Sequence, residues 1–466
     1  MYGGSVRIMS EQVFVKPNAH DSEENLSNPL SNDQRDLRSK SMFTIWFASN
    51  LTIGDFAVGF IPIYLGLGIG VSIAALIIGS LMGAVLLGLM SSTGPRSGLP
   101  QMVSSKFAFG VSGSKVMSSL QWVNTAGWLS VNLILASFAL SALFHGLYFV
   151  VSLVVVALVV ALAVSMGHKG IHTFERILSI VLGVLFLFII YTSFSHLPAL
   201  ASYVPSYTVT AAVGFGIVLA SSFSYIMSWG PYASDYSRFV PSTFSGRSVF
   251  TWTFAGSFIA SVWAEITGLM VAVISGNPNG NPATDLAFIM GRFGYIGLIS
   301  IFLGGLSANA LNLYSNSISL RSTGIKIKRG IIIGMVTVFS VALGIIGYKN
   351  FYAFYETFLF ILDYWITPWI GVMVAEFFIV RRISKSSSIT PGFKKIGFIS
   401  YVLSIVISIP FMNPGVIFIG PVSSMLGGVD TSYYVSFVMA IILYVILSRH
   451  YYGSGMETKN LGKAGA

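Results

Sequence analysis

An all-α polytopic membrane protein with twelve transmembrane helices is the fold class this sequence predicts. Three observations predict it. Only 9% of the 466 residues are Asp, Glu, Lys or Arg, where a soluble globular domain carries about 25%. Hydrophobic residues make up 54% of the chain, and its mean hydropathy is +0.79. The apolar residues also fall into runs of about 20, the length that crosses a hydrocarbon core as a helix. Sixteen acids and 26 bases cannot cover the surface of a 50.2 kDa soluble protein, so a soluble multi-domain enzyme is excluded, and so is a disordered chain. The chain has no Cys. This removes a disulfide scaffold, thiolate catalysis, iron–sulfur clusters and zinc–thiolate sites.

In order along the chain, residues 1–40 are polar and hold six acids: Glu11, Asp21, Glu23, Glu24, Asp33 and Asp36. Without apolar periodicity they are expected to form a disordered cytoplasmic tail. They contain no hydrophobic h-region, so no cleaved signal peptide is expected. Twelve apolar segments follow, at 42–67, 70–91, 115–141, 146–166, 174–195, 207–233, 249–275, 293–320, 330–348, 354–380, 395–412 and 431–449. A second polar tail closes the chain at 451–466.

Charge sets the orientation. With the N-terminus inside, 24 of the 26 Lys and Arg residues fall in the tails and cytoplasmic loops, and only Arg292 and Lys349 lie outside. One segment more or fewer in the middle would scramble that split. The net charge of +10 is therefore a topology signal spread over short loops, and no nucleic-acid partner is expected. The lipid bilayer is.

Two segments are interrupted by polar or helix-breaking residues. Segment 1 reads WFASNLTIGDFAVGF and places Ser49, Asn50, Thr52, Gly54 and Asp55 at mid-depth. Segment 6 reads FSYIMSWGPYASDY, with Gly230–Pro231 inside the span. Pro removes a backbone donor and Gly relaxes the helix. The two are five segments apart, so they hold equivalent places in successive five-helix units. Paired interrupted helices point to an inverted-repeat transporter with a central site. Ordinary Gly and Pro content of membrane helices is the plainer alternative.

Polar side chains at membrane depth are costly, so they locate candidate chemistry. In segment 3, Trp128 and Asn132 are four apart and share a helical face. An aromatic plane beside an amide suits a flat heterocycle, the ring stacking and the amide reading its edge. Taken alone, the same pair also reads as an interfacial Trp and a packing amide. Segment 6 adds Ser228 and Trp229 beside the break, where half-helix ends expose backbone groups. In segment 8, Asn309, Asn312 and Asn316 form one polar stripe with Ser315 beside them. Each buried amide must find partners, so three on one face seldom serve packing alone.

Asp55 is the one acid in the middle of segment 1. It is a candidate proton carrier or cation ligand, or else a solvated group near the outer mouth. Glu265, Glu356, Asp363 and Glu376 are weaker versions, and Glu376 near Arg381 and Arg382 reads as an interfacial ion pair. Other apparent motifs fall away. Asn50-Leu51-Thr52 is a sequon inside a span, and GLGIG at 66–70 lacks a strand–helix context. His168 and His172 have no third ligand. No metalloprotease, nucleophile-elbow or phosphate-loop pattern appears, so no enzyme is expected.

These residues resemble the nucleobase–cation symporter-1 family of cytosine, purine–cytosine, hydantoin, allantoin and vitamin transporters. The resemblance runs from about Phe43 to the last span. It rests on WFASNLTIGDFAVG, GPRSGLPQMVSSKFAFG (94–110), GWLSVN, SWGPYASDYSRFVP (228–241) and NLYSNSIS (312–319), with segments 1 and 6 most like the purine–cytosine branch. It implies a LeuT-type fold of two inverted five-helix repeats plus two C-terminal helices, at 41–195, 196–380 and 381–450. It also implies alternating access and uptake coupled to sodium or protons. By motif, Trp128 and Asn132 match the stacking aromatic and amide of helix 3. Ser228 and Trp229 match the backbone contact and second aromatic of helix 6, and Asn312 matches the helix 8 amide. In sodium-coupled relatives two neighbouring hydroxyls on helix 8 face helix 1 carbonyls. Here that pair is Ser315 and Asn316, a departure that sets sodium against Asp55 and a proton.

The sequence thus leads to nucleobase import at the plasma membrane by a monomer with both termini cytoplasmic. The base would stack between Trp128 and Trp229 and be read by Asn132, Asn309 and Asn312. Ser49, Asn50, Asp55, Ser315 and Asn316 would take part in cation binding or coupling, with a possible sodium ion between helices 1 and 8 and no other cofactor. A symporter for another small heterocycle or an amino acid is the nearest alternative. A channel, a receptor and a membrane enzyme are more distant ones.

Overall fold

A backbone in hydrocarbon must satisfy its own hydrogen bonds, and a helix does so within each segment. The computed structural model describes residues 26, 28–145, 147–164, 167–276, 281–325, 327–381, 389–414 and 418–453. Arg382 and most of both polar tails lie outside these residues. A helix covers each of the twelve apolar segments. Segments 2 to 5 are Ile69–Ser91, Lys106–Leu143, Phe149–Val164 and Gly167–Ser193. Segments 7 to 10 are Gly246–Ser275, Gly294–Ser322, Arg329–Gly347 and Phe351–Val374, and segments 11 and 12 are Lys395–Ser408 and Ser432–Gly453. Among the described residues, seven helical stretches are long and apolar enough to cross a membrane unaided, and the bent pair of segment 1 adds an eighth. Ile346, Val338 and Leu162 point outward at 74%, 71% and 71% exposure, as lipid-facing side chains do.

Both expected interruptions are present. Segment 1 consists of Ser41–Asn50 and a second half, Ile53–Tyr64, bent against it by 49°. Leu51 leaves the helix at φ −78°, ψ 63°, and Thr52 is extended. Segment 6 runs as Ala211–Met227, a tight turn at Gly230–Tyr232, then Ala233–Ser237. Pro231 lies in the first turn after the break, where its missing N–H costs nothing.

Two expectations are corrected. Segment 3 begins at Lys106 rather than 115 and kinks at Gly110, whose φ of +75° and contact with the Gly392 carbonyl leave no room for a side chain. The described part of the N-terminal tail, from 28 to 40, is a docked strap rather than a disordered segment. Leu30 N–H donates to Gly98 O at 3.0 Å and Leu37 N–H to Phe239 O at 3.0 Å. Arg35 donates to Pro95 O at 2.7 Å. The strap therefore ties together the ends of segments 2 and 6 that lie on its side of the fold. Leu30 within it and Leu26 before it are buried, and these few apolar anchors offset its polar composition.

Helix packing positions the centre. Segments 3 and 8 approach closely because Gly305 faces Ala136, where a Cβ would lie 3.0 Å from the Ala136 Cβ. At the break of segment 1, Gly304 of segment 8 lies against Thr52 and Ile53, its would-be Cβ 3.5 Å from Ile53 N. Small residues let membrane helices meet in this way.

Candidate functional site

The site grows from the break in segment 1. Thr52 shares a hydroxyl contact of 2.8 Å with Tyr225 of segment 6. Tyr355 of segment 10 donates to Gly54 O at 2.9 Å. A Cβ on Gly54 would sit 3.3 Å from Tyr225 Cε2 and 3.4 Å from Asn132 Oδ1. Segments 1, 3, 6 and 10 therefore converge on Gly54.

Aromatic rings line two sides. Trp128 packs edge-on against Tyr225 (centroids 5.3 Å apart), Tyr355 (6.2 Å) and Phe358 (5.2 Å). Trp229 packs against Trp46 (5.9 Å) and Tyr232 (4.9 Å). Both Trp residues are 4% exposed. Among the described residues no ring contact joins the two clusters. A flat ligand stacked on both planes would have to lie between them.

The amides supply the polar edge. Asn132 Nδ2 donates to Trp128 O at 3.0 Å, which leaves its Oδ1 without a partner. Asn312 Oδ1 accepts from Tyr232 Oη at 2.8 Å, which leaves its Nδ2 without one. Asn309 has neither amide atom paired, and Trp229 Nε1 is also unpaired. Each buried, unsatisfied polar group costs about 1–3 kcal/mol. Several on facing helices form a set of donors and acceptors that a polar ligand could satisfy.

The other candidates are placed differently. Ser228 Oγ donates to Tyr225 O at 2.7 Å, and Ser49 Oγ to Ile45 O at 2.6 Å. Asn50 Nδ2 donates to Trp46 O at 2.7 Å, and its Oδ1 is unpaired. Ser315 does not turn to segment 1; its hydroxyl donates to Asp235 Oδ2 of segment 6 at 2.7 Å. Asn316 turns to segment 3 and donates to Thr125 Oγ1 at 2.6 Å and Trp122 O at 3.1 Å. Gly304, eleven residues earlier and about 16 Å along the helix at 1.5 Å per residue, is a segment 8 residue that meets the break. The implied pairing of Ser315 and Asn316 with helix 1 carbonyls is corrected accordingly. Asp55 is fully buried and faces Glu265 of segment 7 rather than a solvated mouth. Glu376 does form its expected ion pair, with Arg381 Nε at 3.2 Å, and Lys394 Nζ lies 3.7 Å away.

Trp46, Tyr225, Tyr232 and Tyr355 were not singled out by sequence reasoning. Trp46 lies one helical turn before Asn50, and Tyr225 and Tyr232 flank the Gly–Pro break. That proximity was the available signal. Glu265 was a weak candidate and becomes the partner of Asp55. A cavity of about 230 Å³ beside Glu356, Tyr364, Asn413 and Asp430 holds none of the amides above. Among the described residues no cluster of His, Asp or Glu could hold a metal ion.

Two interrupted helices around an amide-lined aromatic centre define a membrane transporter rather than an enzyme. A sequence model of the permeases for cytosine/purines, uracil, thiamine and allantoin matches residues 29–437. The chain belongs to this family, the nucleobase–cation symporter-1 permeases. It is 28% identical over 438 residues to YxlA of Bacillus subtilis (strain 168), provisionally named a purine-cytosine permease, covering 90% of this chain and 94% of YxlA. It is 24% identical over 440 residues to the purine-cytosine permease fcyB of Emericella nidulans, covering 89% and 86%. In fold it is similar to the closed, bromovinylhydantoin-bound form of Mhp1, a nucleobase-cation-symport-1 transporter. The TM-score is 0.75 at 18% identity, covering 92% of this chain and 96% of Mhp1.

Proposed function

We propose that this protein imports a nucleobase, cytosine or a purine, together with a cation by alternating access. The observation that carries the reading is the set of orphaned amide groups on segments 3 and 8, with Asn132 bonded to Trp128 O and Asn312 to the Tyr232 that packs on Trp229. Asn132 offers an acceptor, Asn312 a donor, and Asn309 one of each. A nucleobase edge presents donors and acceptors side by side, and its ring faces suit Trp128 and Trp229. The purine-cytosine names of several relatives agree with it.

The architecture that goes with this reading is twelve spans in a 5+5 inverted repeat plus two. Both termini face the cytoplasm, and a monomer in the plasma membrane does the work. Cation binding favours the outward-open state, which raises substrate affinity through linkage. The strap at the inner ends of segments 2 and 6 then yields as the site opens inward.

A second reading, transport of another flat heterocycle, is favoured by the 23% identity over 349 residues to the vitamin B6 transporter TPN1 of Saccharomyces cerevisiae and by the hydantoin bound to Mhp1. Thermal-shift titration of the purified protein separates the two. The panel holds nucleobases, hydantoins, allantoin, thiamine and pyridoxine. A ligand of the native state raises the melting point with the logarithm of its concentration. The nucleobase reading expects a shift from a nucleobase that Trp128→Ala and Asn312→Ala both abolish. Silence from nucleobases with a shift from another heterocycle moves the function to the second reading.

A further inference from the structure

Two acids that the substrate site leaves unused lie beside it. Asp55, on the second half of segment 1, and Glu265, on segment 7, are both 0% exposed. Glu265 Oε2 accepts from Ser80 Oγ of segment 2 at 2.8 Å and from Ser222 Oγ of segment 6 at 3.0 Å. Its Oε1 accepts from neither and is unpaired. Asp55 faces Glu265 and the Ser261 hydroxyl. Asp55 lies one helical turn before Gly59, which packs on the Glu265 backbone, and neither Asp55 oxygen has a hydrogen-bond partner. The remaining titratable groups that face the pair are Tyr225 of segment 6 and Tyr355 of segment 10. Among the described residues no Lys, Arg or His neutralises either acid.

Close backbone packing brings the helices of the two acids together. A Cβ on Gly59 would overlap the Glu265 carbonyl oxygen, and a Cβ on Gly268 would overlap the Phe56 carbonyl oxygen. The second half of segment 1 therefore lies on segment 7 backbone to backbone. Two carboxylates held together in a dry interior strongly disfavour the doubly ionised state.

We infer that Asp55 and Glu265 share one proton and form the proton-binding site that couples transport, an inference that rests on the transport reading above. The proton binds to one carboxylate oxygen, turns the pair into a carboxyl–carboxylate, and is released to the opposite side with the same stoichiometry. Its presence is felt at the substrate through short links. Asp55 follows Gly54, which abuts Asn132 and accepts from Tyr355. Tyr225 faces the pair and bonds Thr52 at the break. Loss of the proton sets two negative charges against each other under the hinge and loosens the second half of segment 1.

The test uses the full chain in two measurements. In vesicles loaded with a pH-sensitive dye, cytosine and adenine are added outside, and internal acidification is followed alongside radiolabelled substrate exchange. Glu265→Gln and Asp55→Asn are expected to lower substrate-driven proton entry at least about tenfold, within the range of coupling between linked sites, while exchange persists. Exchange that persists also shows that the variants fold. Unchanged proton entry in both variants overturns the proposal, as does uptake driven by sodium with no proton movement. Infrared spectroscopy of the ligand-free protein at neutral pH gives a readout independent of substrate. Difference spectra against the Asp55→Asn/Glu265→Gln double variant cancel the bands of the other buried acids, and one protonated-carboxyl band is expected to belong to the parent pair. A parent spectrum that matches the double variant in the carboxyl region overturns the shared proton. A difference band as expected, with no nucleobase exchanged, supports the proton site and overturns the nucleobase reading instead.

Discussion

Tyr232 of segment 6 donates its hydroxyl to Asn312 Oδ1 of segment 8 at 2.8 Å. This contact fixes which way the amide points. With Oδ1 occupied, Asn312 presents its Nδ2 as a donor, while Asn132, tied to Trp128 O through Nδ2, presents Oδ1 as an acceptor. The two amides on facing helices are thereby given opposite polarity, as recognition of a donor–acceptor edge requires.

Removing that contact should weaken binding without unfolding the protein. Tyr232→Phe keeps the ring against Trp229, at 4.9 Å between centroids, and deletes only the hydroxyl. The amide is then free to rotate, and the preorganised donor is lost. A hydrogen bond of this kind contributes about 0.5–1.5 kcal/mol, so ligand affinity should fall roughly three- to tenfold. Titration calorimetry with the ligand found by thermal shift measures this. Unchanged affinity would mean that Asn312 does not meet the ligand.

Much of this architecture could be read from the sequence because it is written in local pattern. Apolar run length gives the segments, and Gly230–Pro231 and the polar cluster at 49–55 give the breaks. The spacing of Trp128 and Asn132 puts both on one face. Periodicity states that a face is buried but not what lies across from it. Ser315 and Asp235, or Asp55 and Glu265, meet only through tertiary packing, so the sequence shows two polar residues where the structure shows one contact. The strap was missed for a related reason. Composition averages over residues 1–40, whereas docking depends on single anchors such as Leu30 and Arg35.

The glycine contact between segments 1 and 7 makes a stability prediction. Gly268→Ala would place a methyl group on the Phe56 carbonyl oxygen, with Gly59 Cα 3.3 Å from the new atom. Backbone cannot yield as a flexible side chain can, so the helices must part. Overpacking costs about 1–3 kcal/mol, occasionally more. Gly183→Ala, where the new Cβ has open space, is the control. The melting point of Gly268→Ala in detergent should fall well below that of the control, and equal melting points would show that the two backbones are not in contact.

Asp285 makes a pH prediction. It lies on the short helix Pro282–Ile289, outside the membrane-spanning segments, where Asn281 caps the helix by accepting from Ala283 N–H at 2.9 Å. Burial pushes its carboxyl up to about 7, and Oδ2 has no hydrogen-bond partner. The ordinary unfolded value is about 3.9, so the folded state binds this proton more tightly than the unfolded chain does. The sign follows from linkage. The ionised group destabilises the fold in full above about pH 7, and the penalty fades as pH falls toward the unfolded value. Asp285→Asn removes the charge at every pH while keeping the shape. It should raise the melting point more at pH 8 than at pH 5, the difference coming from the wild-type protein losing stability as pH rises. Equal gains at the two pH values would mean that the wild-type carboxyl titrates outside this window, and a loss at pH 8 would mean that a cation pairs with it.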